Sequence, residues 1–427
     1  MILNAVSLIL DLTKWQKTDM LSVRQLSNYL FGTYNTIHKI AFFINEEYIF
    51  DHYHNIMMKL PNDTFDIILA NKFNSPLYQQ VVDNLKDYGW NVRFLDEVMF
   101  IDKYKCLLTH LYLGGNTCEE GSIVSRIVSI LLLSINKILL KSKINKIFPI
   151  KKQYMQKILG YYNIKFMYGA DSGVEKYHEY KNDYNEAYDL FFCHGPRDSN
   201  ITKELFHKPV FQMGYPRYDS YFKKEGDPSA KEFLLNKYSC NKNKKTILWI
   251  CTVNIYFSTI ETYSSAMETF LKDYNIIVRP HPLEIDPQYS RFNQKVLDIV
   301  SSGIFILNDN AYQDMTELYL ISDFVVCDYG GSIFSAMYMD KRIILLNHKN
   351  VYKDTVTSTS TSMEAREYLP SINEDEIDKL SRYLSDEECW IEADKKRDVA
   401  RTYFFGDSRG DSAIGVANYL SKIIAEK

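Results

Sequence analysis

Between Thr246 and Leu346 the chain repeats one unit: a short apolar run followed by a stretch with apolar residues at helical spacing. Strands are predicted at Thr246–Cys251, Ile276–Val278, Ile304–Leu307, Phe324–Cys327 and Ile343–Leu346. Helices are predicted at Ile260–Leu271, Phe292–Val300, Met315–Ile321 and Ile333–Met339. Strands this continuously apolar suit a sheet covered on both faces, and strand-helix-strand crossovers in one sheet are right-handed. The expected architecture is therefore α/β, a parallel sheet with helices on either side. Helices near Glu374–Ser385 and Ser412–Ala425 close the chain.

The first half keeps a looser version of this rhythm, with strands expected at Ile40–Ile44, Phe65–Ala70, Val92–Leu95 and Ile164–Met167. At 427 residues the chain exceeds one ordinary core. Turn-rich composition at Gly214–Asp219, Asp227-Pro228 and Asn241–Lys245 marks a boundary. We expect two domains, 1–230 and 231–427.

Charge and cysteine content exclude several classes. A net charge of -4 carries no nucleic-acid signature for the whole molecule. Seven cysteines without CxxC pairing suit a reducing compartment and offer no zinc framework. The first ten residues are apolar but lack a basic leader and a small-residue cleavage site, which argues against a secretory signal. No Walker A loop, GxGxxG or HExxH is found, so ATP hydrolysis, redox and zinc proteolysis are disfavoured.

One stretch stands apart. From 121 to 170 there is no acidic residue, while Arg126, Lys137, Lys141, Lys143, Lys146, Lys151, Lys152, Lys157 and Lys165 are basic. Its uncharged run between Arg126 and Lys137 is ten residues, well short of the roughly 20 that span a bilayer. Residues 121–165 read as a basic amphipathic segment able to lie on an anionic membrane, or as a core helix followed by a solvated basic face.

Three clusters fall at expected strand ends or at the domain junction, where open α/β sheets bind ligands. In Arg279-Pro280-His281-Pro282 the prolines stiffen the loop, Arg279 can grip phosphate oxygens and His281 can donate to them or move a proton. In Asp328-Tyr329-Gly330-Gly331-Ser332 the glycines permit a tight turn, and Ser332 is the expected N-cap of a helix whose amides attract an anion. The third, Gly214-Tyr215-Pro216-Arg217-Tyr218-Asp219, carries more chemistry than a turn requires.

The ordered set of Gly-Tyr-Pro-Arg-x-Asp at 214–219, Arg-x-His-Pro at 279–282, Asp328-Tyr329-x-x-Ser332 with Phe334, and Gly406-Asp407 with Gly410-Asp411-Ser412 resembles the CDP-glycerol glycerophosphotransferase family. These are bacterial teichoic-acid and capsule polymerases, and the resemblance covers roughly residues 160 to 415. It implies a GT-B fold, two Rossmann-like domains facing across a cleft, with the acceptor on the first and the nucleotide donor on the second. By that likeness Arg279 and His281 hold the donor pyrophosphate, and Gly330, Gly331 and Ser332 bind its phosphates with Asp328 supporting the loop. Asp411 and Ser412 fall in the closing motif. The family's His-Gly-Thr-Pro-x-Lys segment, whose histidine serves as acceptor base, aligns with Tyr168-Gly169-Ala170-Asp171, so Tyr168 stands in the histidine's place. Asp171 is the best substitute base, with His178 and His194 as further candidates.

The implied activity is transfer of a polyol phosphate or sugar from a CDP-type donor to a surface polysaccharide or lipid-linked acceptor. It requires no metal or other cofactor, Arg279, His281 and backbone amides meeting the leaving charge. Two alternatives remain: a glycosyltransferase using CMP-Kdo or a UDP-sugar, and a non-catalytic GT-B protein that binds polysaccharide or scaffolds assembly. The expected location is the cytoplasm, at the inner face of the plasma membrane.

Overall fold

The computed structural model describes residues 34–46, 49–70, 76–99, 101–110, 155–169, 183–253, 256–309, 315–353 and 356–426. Asp171, His178 and residues 121–154 of the basic segment lie outside them.

The described chain builds two parallel sheets. The first contains β1 (Asn35–Ile44), β2 (Phe65–Leu69), β3 (Val92–Phe94), β4 (Asp102–Thr109), β5 (Gly160–Phe166), β6 (Leu190–Cys193) and β7 (Val210–Gln212), in the order β3-β2-β1-β4-β5-β6-β7. The second contains β8 (Lys245–Ile250), β9 (Tyr274–Arg279), β10 (Ile306–Leu307), β11 (Phe324–Cys327), β12 (Arg342–Leu346) and β13 (Ser371–Ile372), in the order β10-β9-β8-β11-β12-β13. Every pairing is parallel. The strand order reverses beside β1 in one sheet and beside β8 in the other, and each reversal opens a crevice at the strands' carboxyl ends.

The apolar runs fold this way because both faces are covered. Ile247 and Trp249 of β8 join Ile276 and Val278 of β9 in one core, while Leu248, Ile277 and Val325 turn to the opposite face with Ile333, Met337 and Leu345. Each large apolar side chain fully buried in this way contributes about 1.5–3 kcal/mol.

The packing divides the chain differently from a single cut at residue 230. Tyr218, Tyr221, Leu234 and Leu235, on the helices Asp219–Lys224 and Pro228–Lys237 and the turn before them, pack into the second sheet's core. The last helix, Ser412–Glu426, returns to the first sheet, where Val416, Ala417, Leu420 and Ile423 cover Phe42 and Ile44. Its apolar stripe completes the first unit's core. A buried ion pair also joins the units: Arg197, on the helix Pro196–Phe206, donates to Glu364 Oε2 at 2.8 Å and to Thr361 Oγ1 at 3.1 Å.

Two lysines of the expected basic face are otherwise engaged. Lys157 pairs with Asp189 at 2.7 Å, and Lys165 is buried and donates to the carbonyl of His110. Among the described residues no helix is long and apolar enough to cross a membrane.

Candidate donor-binding site

The second sheet's crevice lies at the carboxyl ends of β8 and β11, with β9 on the other side of β8. Arg279 is the last residue of β9, opposite Ile250, and its guanidinium donates to Asn308 just beyond β10. Because β9 and β11 are two strand spacings apart, roughly 10 Å, Arg279 and the glycine loop flank the end of β8. Burial draws the Arg279 pKa below its ordinary value, although a guanidinium keeps its charge.

His281 caps the short helix Pro282–Ile285: its Nδ1 accepts from the Leu283 amide at 3.2 Å. That bond assigns the proton to Nε2. Burial, aided by Arg291 and Arg279, pushes the His281 pKa down to about 4. At neutral pH the ring is therefore an uncharged Nε2–H donor, suited to hydrogen-bond a phosphoryl oxygen.

The loop after β11 is shaped by its neighbours. A Cβ on Gly330 would meet Thr252 Oγ1 at 2.0 Å, whereas Gly331 faces open space. Gly331, not Ser332, is the N-cap of the helix Ser332–Tyr338, and it adopts helical angles (φ -61, ψ -17). Ser332 is the first helical residue, because the tight turn already curls at Gly331.

Asp328 faces inward. It is fully buried and its carboxylate accepts from the amides of Thr252 (2.9 Å) and Tyr329 (2.7 Å) and from Thr259 Oγ1 (2.6 Å). Burial raises its pKa while these donors oppose the rise. It fastens the β11 loop to the β8 loop. Arg366 completes the clamp, donating to the Asp328 carbonyl at 2.8 Å and lying 4.0 Å from the Tyr329 ring. A cavity of about 620 Å³ opens beside it, lined by Tyr329, Asn347, His348 and Arg366 among others. A lone arginine just past the end of a short helix gave the sequence no signal for that role.

The motifs at 214–219 and 406–412 meet each other instead of lining the crevice. Gly214 has φ +66, and a Cβ there would lie 2.3 Å from Ser412 Oγ. Ser412 Oγ accepts from the Tyr215 amide at 3.2 Å and bonds Tyr338 Oη at 2.9 Å. Asp219 is buried and accepts from the Ala413 amide at 2.6 Å, capping the last helix; burial lifts its pKa to about 6. Asp411 is exposed and accepts from Ser408 at 2.7 Å. Asp219 and Ser412 thus tie the junction together, while Asp411 braces its own turn. Tyr218 reaches further, donating to Ser335 Oγ at 2.9 Å in the helix that follows the glycine loop.

Across the junction, Tyr168 lies past the end of β5, its carbonyl accepting from Tyr215 Oη at 3.4 Å. Its ring is edge-on to His52 (5.7 Å) and to His110 (5.4 Å). Sequence reasoning missed both histidines, which come from different segments and carry no motif. His110 is buried, and burial with the nearby Lys165 charge pushes its pKa down to about 3. His194 is also buried; its Nδ1 bonds the Gly214 carbonyl at 2.8 Å and its ring packs on Tyr215 at 4.5 Å. That places it in the junction's aromatic cluster.

Two Rossmann-like sheets joined at such a junction define the GT-B class. Residues 140–422 match the family model described as CDP-Glycerol:Poly(glycerophosphate) glycerophosphotransferase, and the chain belongs to that family. A teichoic acid glycerol-phosphate transferase of Staphylococcus aureus (strain NCTC 8325 / PS 47) is 24% identical over 188 residues, 40% of this chain and 44% of the relative. The matched region is thus less than half of that relative's length. Among solved structures, the wall teichoic acid polymerase TagF superposes with a TM-score of 0.62 at 15% identity, covering 95% of this chain and 97% of that one. A TagF variant soaked with CDPG gives 0.60 at 15% identity, covering 94% of each. The UDP-GlcNAc 2-epimerase of Neisseria meningitidis gives 0.54 at 14% identity, covering 90% of this chain and 100% of that one.

Proposed function

We propose that this chain transfers a glycerol-phosphate-type unit from CDP-glycerol, or a closely related CDP-linked donor, to a hydroxyl of a surface polymer. The observation that carries the reading is family membership over 140–422 together with Arg279, His281 and the Gly330–Ser332 loop gathered at one crevice. The acceptor oxygen attacks the donor phosphorus next to the polyol. A new P–O bond forms, the anhydride bond to CMP breaks, and the acceptor proton passes to a base on the first unit. The neutral Nε2–H of His281 and the Arg279 guanidinium meet the charge left on CMP, so the reading assigns no step to a metal.

Asp171 remains our choice for the base. Tyr168 in the histidine's place favours one second reading, a GT-B glycosyltransferase taking a CMP- or UDP-sugar. The enzyme would work at the inner membrane face, where the basic segment meets anionic lipid.

Thermal-shift screening of CDP-glycerol, CDP-ribitol, CMP-sugars and UDP-sugars, followed by CMP release with and without EDTA, tests this. Stabilisation by CDP-linked polyols and EDTA-resistant turnover are expected. Stabilisation by a nucleotide sugar alone selects the second reading, and no stabilisation by any nucleotide refutes both.

A further inference from the structure

The short helix that follows His281 carries a carboxyl group with no part in the donor-site reading. Glu284 lies on Pro282–Ile285 and is 1% exposed. Both its carboxyl oxygens are buried, and neither makes a hydrogen bond of ordinary geometry among the described residues. Its backbone belongs to the His281 turn: the Glu284 amide donates to the His281 carbonyl at 2.9 Å, and the Glu284 carbonyl accepts from the Asn293 amide at 2.8 Å. Between the two residues, the Leu283 amide donates to His281 Nδ1 at 3.2 Å, the bond that leaves the proton on Nε2. One turn of helix therefore holds the Glu284 side chain inward and sets the tautomer of the His281 ring.

A carboxylate so deeply buried without a good donor is costly, and the protonated acid is the form that suits the position. Burial raises the Glu284 pKa to about 7; the Ser258 hydroxyl, too poorly placed for a full hydrogen bond, opposes the rise, and the Asp328 and Glu261 charges add to it. The buried Cys251 thiol just past β8 also bears on it, while Arg279 and Arg291 act on the His281 ring. Ser258 caps the helix Thr259–Glu268, and its neighbour Thr259 donates to Asp328 at 2.6 Å. Ionising Glu284 therefore adds a negative charge to a buried region that already holds the Asp328 carboxylate. Turning the side chain out to water removes that cost and disturbs the turn it stands on.

We propose that Glu284 is a positioning residue for His281: as an uncharged acid it holds the Pro282–Ile285 turn in place, and on ionisation it releases that turn and the orientation of the ring with it. The inference rests on the donor-site reading above, because Glu284 acts on the ligand through His281.

The test follows the full chain from pH 5 to 8 by calorimetric CDP affinity and by the ring nitrogen NMR shifts of His281, in the parent and in Glu284→Gln, which keeps the shape of the uncharged acid. The folded value, about 7, lies above the ordinary 4.5, so what the protonated group contributes is full below the lower value and is lost as pH rises to the upper one. CDP affinity of the parent is therefore expected to fall relative to Glu284→Gln by roughly three- to tenfold as pH rises to 7, with parallel curves above. Comparison at each pH cancels the titration of CDP itself. Glu284→Ala, which also removes the packed side chain, binds CDP more weakly at every pH, and Glu284→Gln restores it. Without ligand, the Nε2–H tautomer of His281 gives way to a mixture in the parent over the same range and persists in Glu284→Gln. A tautomer that persists in the parent overturns the proposal, as does CDP affinity with the same pH profile in parent and Glu284→Gln. A tautomer change in a chain that binds no CDP at any pH sustains the role of Glu284 and refutes the donor-site reading instead.

Discussion

Adding one methyl group to each of the two adjacent glycines should have opposite outcomes. At Gly330 the new Cβ falls 2.0 Å from Thr252 Oγ1, while at Gly331 nothing lies within 4 Å. Relief at Gly330 requires the Thr252 hydroxyl to leave its rotamer or the β11 loop to move away from the β8 loop. That movement strains the bonds from the Thr252 amide to Asp328 Oδ1 and Oδ2, at 2.9 and 3.1 Å. Overpacking of this kind costs about 1–3 kcal/mol. If the cost falls on the ligand-ready loop, donor affinity drops roughly five- to a hundredfold, at about 1.4 kcal/mol per decade. Gly331→Ala keeps a helical φ of -61 and should bind donor as the parent does, with equal or slightly higher stability. The clashing atom is a single hydroxyl oxygen, so Thr252→Ala should rescue Gly330→Ala, giving a favourable coupling of about 1 kcal/mol or more in a double-mutant cycle. CDP-glycerol affinity by calorimetry and melting temperature together read the cycle. Equal effects at the two glycines, or strict additivity of Gly330→Ala with Thr252→Ala, would show that the loop is not positioned by this contact.

Two further outcomes follow from protons and caps. The folded-state pKa of His281, about 4, lies below the ordinary 6.5, so between these values the unfolded chain binds the extra proton and stability falls as pH drops through that window. Comparing melting curves of the parent and His281→Gln from pH 7 to 4 isolates this group from Asp219 and Glu284. Their raised values, about 6 and about 7, add stability at low pH that is lost as pH rises. The parent should lose ground to the variant on acidification, and parallel curves would refute the assignment. Asp219→Ala removes the acceptor for the Ala413 amide. It should lower the melting temperature by a few degrees, as expected for a cap worth about 1 kcal/mol, while CDP-glycerol affinity is retained. A large loss of affinity with an unchanged melting temperature would instead place Asp219 at the ligand.

The strand, turn and helix around Gly330-Gly331 were legible because their signals are local. The run Phe324–Cys327, wholly buried, followed by Gly330-Gly331 announces a strand, a turn and a helix within fifteen residues. β4 was missed, although it is the partner of β1 at the first crevice, because it opens Asp102-Lys103-Tyr104-Lys105. Its charges are met by tertiary partners: Arg93 and Asn35 donate to Asp102, and Tyr104 donates to Asp66. The helix Glu388–Phe405 was missed for the converse reason. Arg397 is buried on it, paired with Asp340 and Asp394, while Ile391 and Val399 are exposed, which erases the apolar stripe. His52 and His110 could not be found from spacing, since only the sheet order brings them to Tyr168.

The four motifs that carry the family likeness separate into two jobs once they are placed. Those at 279–282 and 328–332 occupy the crevice, and those at 214–219 and 406–412 build the place where the chain changes units. The first crossing lies between Met213, in the first sheet's core, and Tyr215, in the second's. The second crossing lies between Phe405 and Ala413 in the reverse sense. The two run side by side, joined by Ser412 Oγ to the Tyr215 amide and by the approach of Gly214 that only a glycine allows. Any rotation of one unit against the other would turn about this pair and strain the buried Arg197–Glu364 bridge. Because Tyr218 of the same junction bonds Ser335 behind the glycine loop, the junction and the helix after that loop share a hydrogen bond. Polar clustering at 214–219 therefore signals how the glycine loop and its helix are held relative to the first unit.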